Sequence, residues 1–313
     1  MYPEEKMAAR LLKRKGLVPP YDLLDLANSC GEVQFKFFPF KADGITVGIG
    51  LQSRPKIYIN SHCPETRQQF TLAHEIGHII IPWHTGTVVS HLEPGSDDQD
   101  YWQMEQEANR FAAELLMPTD WLKHVYAESD SVENFFRKVL LDTRASKEAV
   151  FYKIFKDLDA AIACARLDEV DGTIHQTQRT KLAPHDGQGS NPKYIYQDTD
   201  HIFEEFYIDA KAFCAWTFIG KKITETDPRT WREILNVILA DTHLQARLLS
   251  INSIMSSAYD KNKHLTEADI CGAVVRAFRS RDGMPGFKEH ELFEQYIIKR
   301  VKELKLRKPK HLI

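Results

Sequence analysis

Two histidines one helical turn apart, with a glutamate beside the first, constrain this chain more than any other feature. The run is His74-Glu75-Ile76-Gly77-His78. Successive residues of an α-helix turn by about 100°, so His74 and His78 lie about 40° apart on one face. Both imidazoles can then reach one metal ion, which leaves two positions of a tetrahedral site to fill. The spacing therefore predicts a helix that presents half of a metal site.

The flanking residues favour a buried helix over one with two surface histidines. Pro64 and Glu65 suit a first helical turn, and residues 70–81 are dense in apolar side chains. On a helical projection both histidines fall in the inward sector, where polar groups need partners. Glu75 projects to the side, where its carboxylate can accept a proton from a water that the metal activates.

A third protein ligand must come from a separate element. Residues 101–117 predict a helix that stops before Pro118, and Glu105 lies within its apolar face. Glu105 is therefore the better ligand, and Asn109, one turn later, is placed to hydrogen-bond around the site. Glu107 and Glu114 are interpreted as solvated carboxylates on the helix surface. The acidic candidates weighed were Glu93, Asp97, Asp98, Asp100, Glu105, Glu107 and Glu114.

The blocks at 70–78, 105–112 and 115–118 together resemble the ImmA/IrrE family of metallopeptidases, and the resemblance covers residues 1–125. It implies a zincin-like fold with His74, His78 and Glu105 as metal ligands and Glu75 as general base. It also implies an intracellular protease that cleaves a helix-turn-helix repressor of mobile-element or DNA-damage genes. Other relatives accompany regulators of the toxin–antitoxin type.

Two positions depart from the family pattern. Many relatives have a histidine four residues after the second ligand, where this chain has Pro82, with His84 two places later. Many also have an arginine where this chain has Gln69. Neither departure decides whether the substrate cleft has the shape that is usual in the family. His84 and His91 are interpreted as surface-loop histidines, with assistance to a transition-state oxyanion as the alternative.

Composition agrees with an intracellular enzyme. The chain has 313 residues, of which 43% are hydrophobic and 27% charged, with a formal net charge of −3. No apolar run is long enough to span a bilayer and no signal peptide is predicted, so a cytoplasmic location is expected. The five cysteines include no CxxC pair, which argues against a disulfide framework or a structural zinc cluster. For Cys63, the alternative is that its thiolate approaches the metal as an inhibitory ligand.

The pattern predicts an α+β protein, and the resemblance implies that its first region, residues 1–128, is a zincin-like metallopeptidase domain. Helices are expected at 3–15 and 21–30, each ended by a glycine. Strands at 33–40, 45–51 and 56–60 predict a small antiparallel sheet, with Tyr58 and residues 48–50 as candidates for a substrate-binding edge. Residues 84–100 are expected to form a loop over the cleft.

Residues 129–182 predict a helix-turn-helix-like segment followed by a β-hairpin. The helices are expected at 132–141 and 146–155, with Ser146 as an N-cap, and the strands at 160–166 and 173–180. Lysines of the second helix are balanced by Glu148 and Asp157. Packing is therefore favoured over contact with DNA, and support for a nucleic-acid partner is weak.

Residues 183–313 predict a mostly helical domain of unknown role. A polar linker is expected at 183–192, and helices at 202–215, 229–259, 266–281 and 287–306. The chain ends in a basic segment that can meet nucleic acid or an acidic partner, with a solvated helix end as the alternative. Its cations are Lys299, Arg300, Lys302, Lys305, Arg307, Lys308 and Lys310.

Two functions from different classes follow. The first is a zinc-dependent endopeptidase that cuts a regulatory protein, expected to be a helix-turn-helix repressor, in a stress, mobile-element or defence response. The second is a non-proteolytic, zinc-stabilised regulator or toxin–antitoxin-type component that binds a partner. The first is favoured because structural zinc sites are closed by four protein ligands and have no use for a general base. Mn²⁺, Fe²⁺ or Co²⁺ can occupy the same ligands.

Overall fold

Two compact units, Met1–Leu158 and Asp159–Ile313, make up the chain. The structure, a computed structural model, describes residues 1–90, 99–184, 191–196, 200–279 and 281–306. Each unit combines helices with one four-stranded sheet, which confirms the predicted α+β class.

Unit 1 begins with helices α1 (Pro3–Lys15) and α2 (Leu23–Cys30), close to their predicted bounds. Acidic residues in the first turn of α1 and basic residues in its last turn complement the helix dipole. Asp22 caps α2, because its carboxylate accepts a hydrogen bond from the Asp25 backbone N–H at 3.0 Å.

The sheet of unit 1 has the strand order β1-β3-β2-β4. Its strands are β1 (Glu32–Lys36), β2 (Gly44–Ile49), β3 (Lys56–Asn60) and β4 (Gly86–Ser90). Strands β1 and β3 run parallel, and the other two pairs are antiparallel, so the sheet is mixed and not wholly antiparallel as predicted.

Two further expectations about this sheet are wrong. Tyr58 lies on the interior strand β3 and Gly48-Ile49 on the interior strand β2, while the edges are β1 and β4. Part of the segment expected as a loop is strand β4, which pairs with β2 through Thr46 and Val88. The short β-prone run at 87–89 is flanked by polar and small residues, which conceal it in the sequence.

Helices α3 (Glu65–Ile80) and α4 (Gln99–Leu116) pack against each other and carry the residues singled out by the sequence. Gly77 allows their close approach, because a Cβ there would lie 3.1 Å from Phe111 Cδ1 and 3.4 Å from Ala108 Cα. Helix α5 (Thr119–Glu128) follows directly after Pro118.

Helices α6 (Val132–Thr143) and α7 (Lys147–Asp157) form the predicted pair. The Ser131 hydroxyl accepts from the Asn134 N–H at 3.1 Å, and that of Ser146 from the Ala149 N–H at 3.2 Å, so both N-caps are side-chain caps. Lys153 of α7 is only 3% exposed, which places this cation in the interior of unit 1.

Unit 2 contains an antiparallel sheet in the order β6-β5-β8-β7. Its strands are β5 (Ile162–Leu167), β6 (Ile174–Arg179), β7 (His201–Ile208) and β8 (Lys211–Phe218). The predicted hairpin is confirmed as β5 and β6. The helix predicted at 202–215 is wrong, because β7 and β8 form a second hairpin there. Its turn residues Asp209 and Ala210 take φ values of 47° and 62° without a glycine to signal them.

Within the described residues of unit 2, four α-helices follow the sheet: α8 (Trp231–Thr242), α9 (Leu248–Asn262), α10 (Glu267–Arg279) and α11 (Phe293–Leu306). The single helix predicted at 229–259 is divided, because His243 takes a φ of 56° and a 3-10 turn follows at Gln245–Arg247. Each helix contributes buried apolar side chains to one core, for example Ile238, Ile254, Val274 and Ile297. The predicted linker at 183–192 lies mostly outside the described residues.

The basic segment at the end of unit 2 is largely paired where the structure describes it. Lys299 and Lys302 each place Nζ 2.7 Å from a Glu225 carboxylate oxygen. Arg300 pairs with Glu303 and stacks 4.0 Å from the ring of Trp231. Arg307, Lys308 and Lys310 lie outside the described residues. Among the helices described, none combines the length and apolar character needed to cross a membrane.

Candidate metal centre

Three buried side chains converge between α3 and α4. His74 Nε2 lies 3.4 Å from Glu105 Oε2, and His78 Nε2 lies 3.2 Å from Glu105 Oε1. The two Nε2 atoms are 3.0 Å apart, and potential ligand atoms of all three residues lie within 4.8 Å of one another. None is more than 2% exposed. The fold therefore brings together the three side chains that the sequence singled out as candidate ligands.

The donor set fits a divalent metal ion. Neither carboxylate oxygen of Glu105 has a well-formed hydrogen bond within the described part of the chain. Burial would raise the pKa of Glu105, but its contacts with His74 and His78 lower that pKa to about 2. A buried, ionised carboxylate that faces two imidazoles needs a cation, and two histidines with one glutamate are a ligand set that zinc takes.

The Glu75 carboxylate lies beside this centre, against strand β2. Thr46 Oγ1 donates to Glu75 Oε2 at 2.5 Å, whereas Oε1 is buried without a well-formed hydrogen bond among the described residues. Burial raises the pKa of Glu75 to about 7, while the His74 charge and the hydroxyls of Thr46 and Ser90 act in the opposite direction. Thr46 thus orients one oxygen, and the other has capacity to accept a proton.

Gly44 makes room for that carboxylate, because a Cβ at this position would overlap it and would lie 2.7 Å from Thr71 Cγ2. Sequence reasoning missed both Gly44 and Thr46. The available signal was a glycine inside a β-prone run, which often marks close approach of another group to the strand.

Each histidine is oriented through its second ring nitrogen. His74 Nδ1 lies 2.9 Å from Asn109 Oδ1, so a proton on Nδ1 leaves Nε2 free for a metal. Asn109 lies where its helical position placed it. His78 Nδ1 lies 2.9 Å from the Nδ1 of His84, which the sequence had assigned to a surface loop.

His84 is 1% exposed, and its Nε2 lies 3.1 Å from Glu107 Oε2. Glu107 also accepts from Trp83 Nε1 at 2.5 Å and from Gln103 Nε2 at 3.0 Å. The hydrogen bonds from His78 to His84 and from His84 to Glu107 both form when His78 carries its proton on Nδ1 and His84 on Nε2. The surface interpretations of His84 and Glu107 are therefore wrong, because Trp83 and His84 in the turn after α3 contact Glu107 of α4.

Glu114, also expected at the surface, is 1% exposed and lies 2.6 Å from Lys153 Nζ. Its two oxygens accept from the backbone N–H and the hydroxyl of Thr119 at 3.0 and 2.8 Å. Asp157 is a second partner of Lys153, at 2.7 Å. The Glu114 interpretation is wrong because its counter-ion comes from α7, 39 positions along the chain.

Cys63 is not among the residues of the candidate metal group. Its thiol donates to Asp43 Oδ1 at 3.3 Å, and Asp43 also accepts two hydrogen bonds from Arg67. Burial and the neighbouring Asp43 raise the pKa of Cys63, which disfavours the thiolate that an inhibitory ligand requires. His91, Glu93, Asp97 and Asp98 lie outside the described residues.

Comparison with known proteins supports the resemblance found in the sequence. Residues 32–155 match the family model described as the IrrE N-terminal-like domain, a peptidase family. The matched part of the chain holds the whole candidate metal centre. A search of curated protein sequences gave no significant match. A solved structure described as a Mycobacterium tuberculosis transcriptional regulator matches with 13% identity and a TM-score of 0.39, covering 69% of this chain and 75% of that one.

Proposed function

We propose that this protein is a cytoplasmic, zinc-dependent endopeptidase that cuts a regulatory protein at specific sites, with a helix-turn-helix repressor as its substrate. The observation that carries the proposal is the buried group of His74, His78 and Glu105 with the Glu75 carboxylate beside it. The match to a peptidase family over residues 32–155 supports the same class of reaction.

The residues divide the work of peptide hydrolysis among them. A divalent metal held by two histidines and one glutamate would lower the pKa of a water molecule and polarise a peptide carbonyl. Glu75 Oε1 accepts a proton from the attacking water and passes it to the departing amine nitrogen. The Thr46 hydroxyl holds the other oxygen, so the carboxylate keeps its orientation during both transfers.

The sheet of unit 1 suggests how the substrate binds. Strand β4 lies at the edge, and its neighbour β2 carries Gly44 and Thr46, the two residues that position Glu75. A peptide in extended form can add to such an edge through main-chain hydrogen bonds. Because a folded domain seldom offers an extended segment, this mode of binding restricts cleavage to a few flexible sites.

The test compares Glu75→Gln with His74→Ala, using purified protein and candidate repressors, beginning with a repressor encoded beside it. We expect Glu75→Gln to retain one equivalent of metal and to cut about 10²–10⁴-fold more slowly, the contribution of a general base. His74→Ala should lose both metal and cleavage. Metal analysis of wild-type protein by mass spectrometry identifies the native ion.

A non-proteolytic regulator behaves differently in the same experiment. In that case Glu75→Gln leaves the biological output intact while His74→Ala abolishes it. Cleavage by Glu75→Gln at the wild-type rate contradicts the proposed role of Glu75. Loss of cleavage after chelation, with recovery on addition of Zn²⁺, is the matching control for metal dependence.

A further inference from the structure

A second hydroxyl faces the Glu75 carboxylate, and it comes from strand β4. In the sheet of unit 1, Ser90 of β4 is paired with Gly44 of β2. Directly opposed residues of an antiparallel pair point to the same face of a sheet, and so do residues two apart on one strand. Ser90 and Gly44 therefore share the face on which Thr46 contacts Glu75. Ser90 is 1% exposed, so its hydroxyl lies on the inner side of the sheet.

The pairing places this hydroxyl near the second oxygen of Glu75. Glu75 Oε1 is the atom that a Cβ at Gly44 would approach most closely, and the Cβ atoms of directly opposed residues are about 4.5–5.5 Å apart. Thr71 borders the same recess, but its methyl carbon Cγ2 is the Thr71 atom nearest to Gly44. Among the described residues, Ser90 therefore has the hydroxyl placed to reach Oε1.

The hydrogen-bonding capacity of both groups is unused. Ser90 Oγ and Glu75 Oε1 are buried without a well-formed hydrogen bond among the described residues. Burial raises the pKa of Glu75, and the Ser90 hydroxyl is one of the groups that lower it, so the hydroxyl does act on the carboxylate. Hydrogen bonds around a catalytic base are often long or poorly aligned until the substrate is bound. The two groups thus supply a donor, an acceptor and the proximity that such a bond requires.

We propose that Ser90 is a positioning residue for the peptidase reaction and donates a hydrogen bond to Glu75 Oε1 when substrate is bound. This role rests on the proposed function of Glu75 as general base. An ionised carboxylate oxygen has two lone pairs, so Oε1 can accept from Ser90 and still take a proton from the attacking water. With Thr46 at Oε2, the two hydroxyls hold both oxygens and prevent the carboxylate from rotating.

The test measures kcat, KM and Zn²⁺ affinity of Ser90→Ala and Ser90→Thr, with a repressor that the wild-type protein cuts. We expect Ser90→Ala to lower kcat at least about tenfold, because hydrogen bonds to charged groups are among the stronger ones. KM and the affinity for Zn²⁺ should not change, since Ser90 holds neither the substrate nor the metal. Ser90→Thr keeps a hydroxyl and should recover most of the kcat.

A double variant shows whether Ser90 acts through Glu75. In Glu75→Gln, the additional change Ser90→Ala should slow cleavage no further, because residues that act as one unit have non-additive effects. The matched control is Ser129→Ala, which removes a serine hydroxyl that donates to Val125 O at 2.7 Å in unit 1. Its kcat should equal that of the wild-type protein.

A crystal structure of the zinc-loaded protein with acetohydroxamate, which binds zinc through two oxygens, gives a readout that does not depend on activity. Ser90 Oγ should lie within about 3.0 Å of Glu75 Oε1. The proposal is overturned if the two atoms are beyond hydrogen-bond distance, if Ser90→Ala cuts as fast as wild type, or if it slows Glu75→Gln further. Cleavage by Glu75→Gln at the wild-type rate instead contradicts the proposed function itself.

Discussion

Helix α4 carries two buried carboxylates that have different surroundings. Glu105, towards its beginning, faces two histidines and has no well-formed hydrogen bond within the described chain. Glu114, towards its end, is closed by Lys153 and Thr119. Both are almost fully buried, so burial alone does not separate a binding residue from a structural one. The difference lies in whether the protein itself completes the site, and the first two predictions below test that difference.

The largest effect is expected at Glu105, whose site the protein itself does not complete. Glu105→Gln should lower the affinity for Zn²⁺ by more than about a hundredfold, because even partners of metal ligands contribute about 10–100-fold. The metal-free protein should lose only the contacts of Glu105 with His74 and His78, so its stability should fall less than in Glu114→Gln, because a neutral imidazole needs no counter-ion. Calorimetric titration with Zn²⁺ and urea denaturation of metal-free protein measure the two quantities. A fall as large as that of Glu114→Gln would show that Glu105 is structural.

Substitution of Glu114, whose site the protein completes, should have the opposite result. Glu114→Gln removes a buried partner of Lys153, and breaking such a pair costs about 3 kcal/mol, the low end of the usual range because Asp157 remains. Affinity for Zn²⁺ should not change. The same two measurements apply. A weaker Zn²⁺ affinity with unchanged stability would remove the contrast between Glu105 and Glu114.

An intermediate effect is expected from the contacts behind His78. His84→Phe removes the group that holds His78 Nδ1, so Zn²⁺ affinity should fall about 10–100-fold while the fold is kept. His124→Phe makes the same chemical change at an exposed position of α5 and should leave the affinity as it is. Equal affinities in the two variants would show that His84 does not support the metal centre.

The smallest effect is expected at the exposed Glu225 of unit 2, which contacts two lysines. Lys299 and Lys302 lower the pKa of Glu225, so its contribution to stability is present above the unfolded pKa and is lost as the pH falls through the lower folded pKa. Glu225→Gln should therefore cost little at neutral pH and nothing at strongly acidic pH. Urea denaturation at the two pH values checks this, and a cost that grows on acidification contradicts it.

Local spacing explains how much of the centre the sequence predicted. His74, His78, Glu105 and Asn109 lie on two regular helices, so their directions follow from position along the helix. Thr46, His84 and Lys153 were missed because their partners are brought close only by tertiary packing. The β7–β8 hairpin was missed for a local reason, since Asp209 and Ala210 form its turn without a glycine.

Gly77 has a consequence for how the metal centre can be altered. Its missing side chain sets the separation of α3 and α4, and Glu105 reaches the histidines across that same gap. Any larger residue at this position acts as a wedge between ligands that belong to different helices. The separation of the candidate ligands therefore depends on a residue that is not itself one of them.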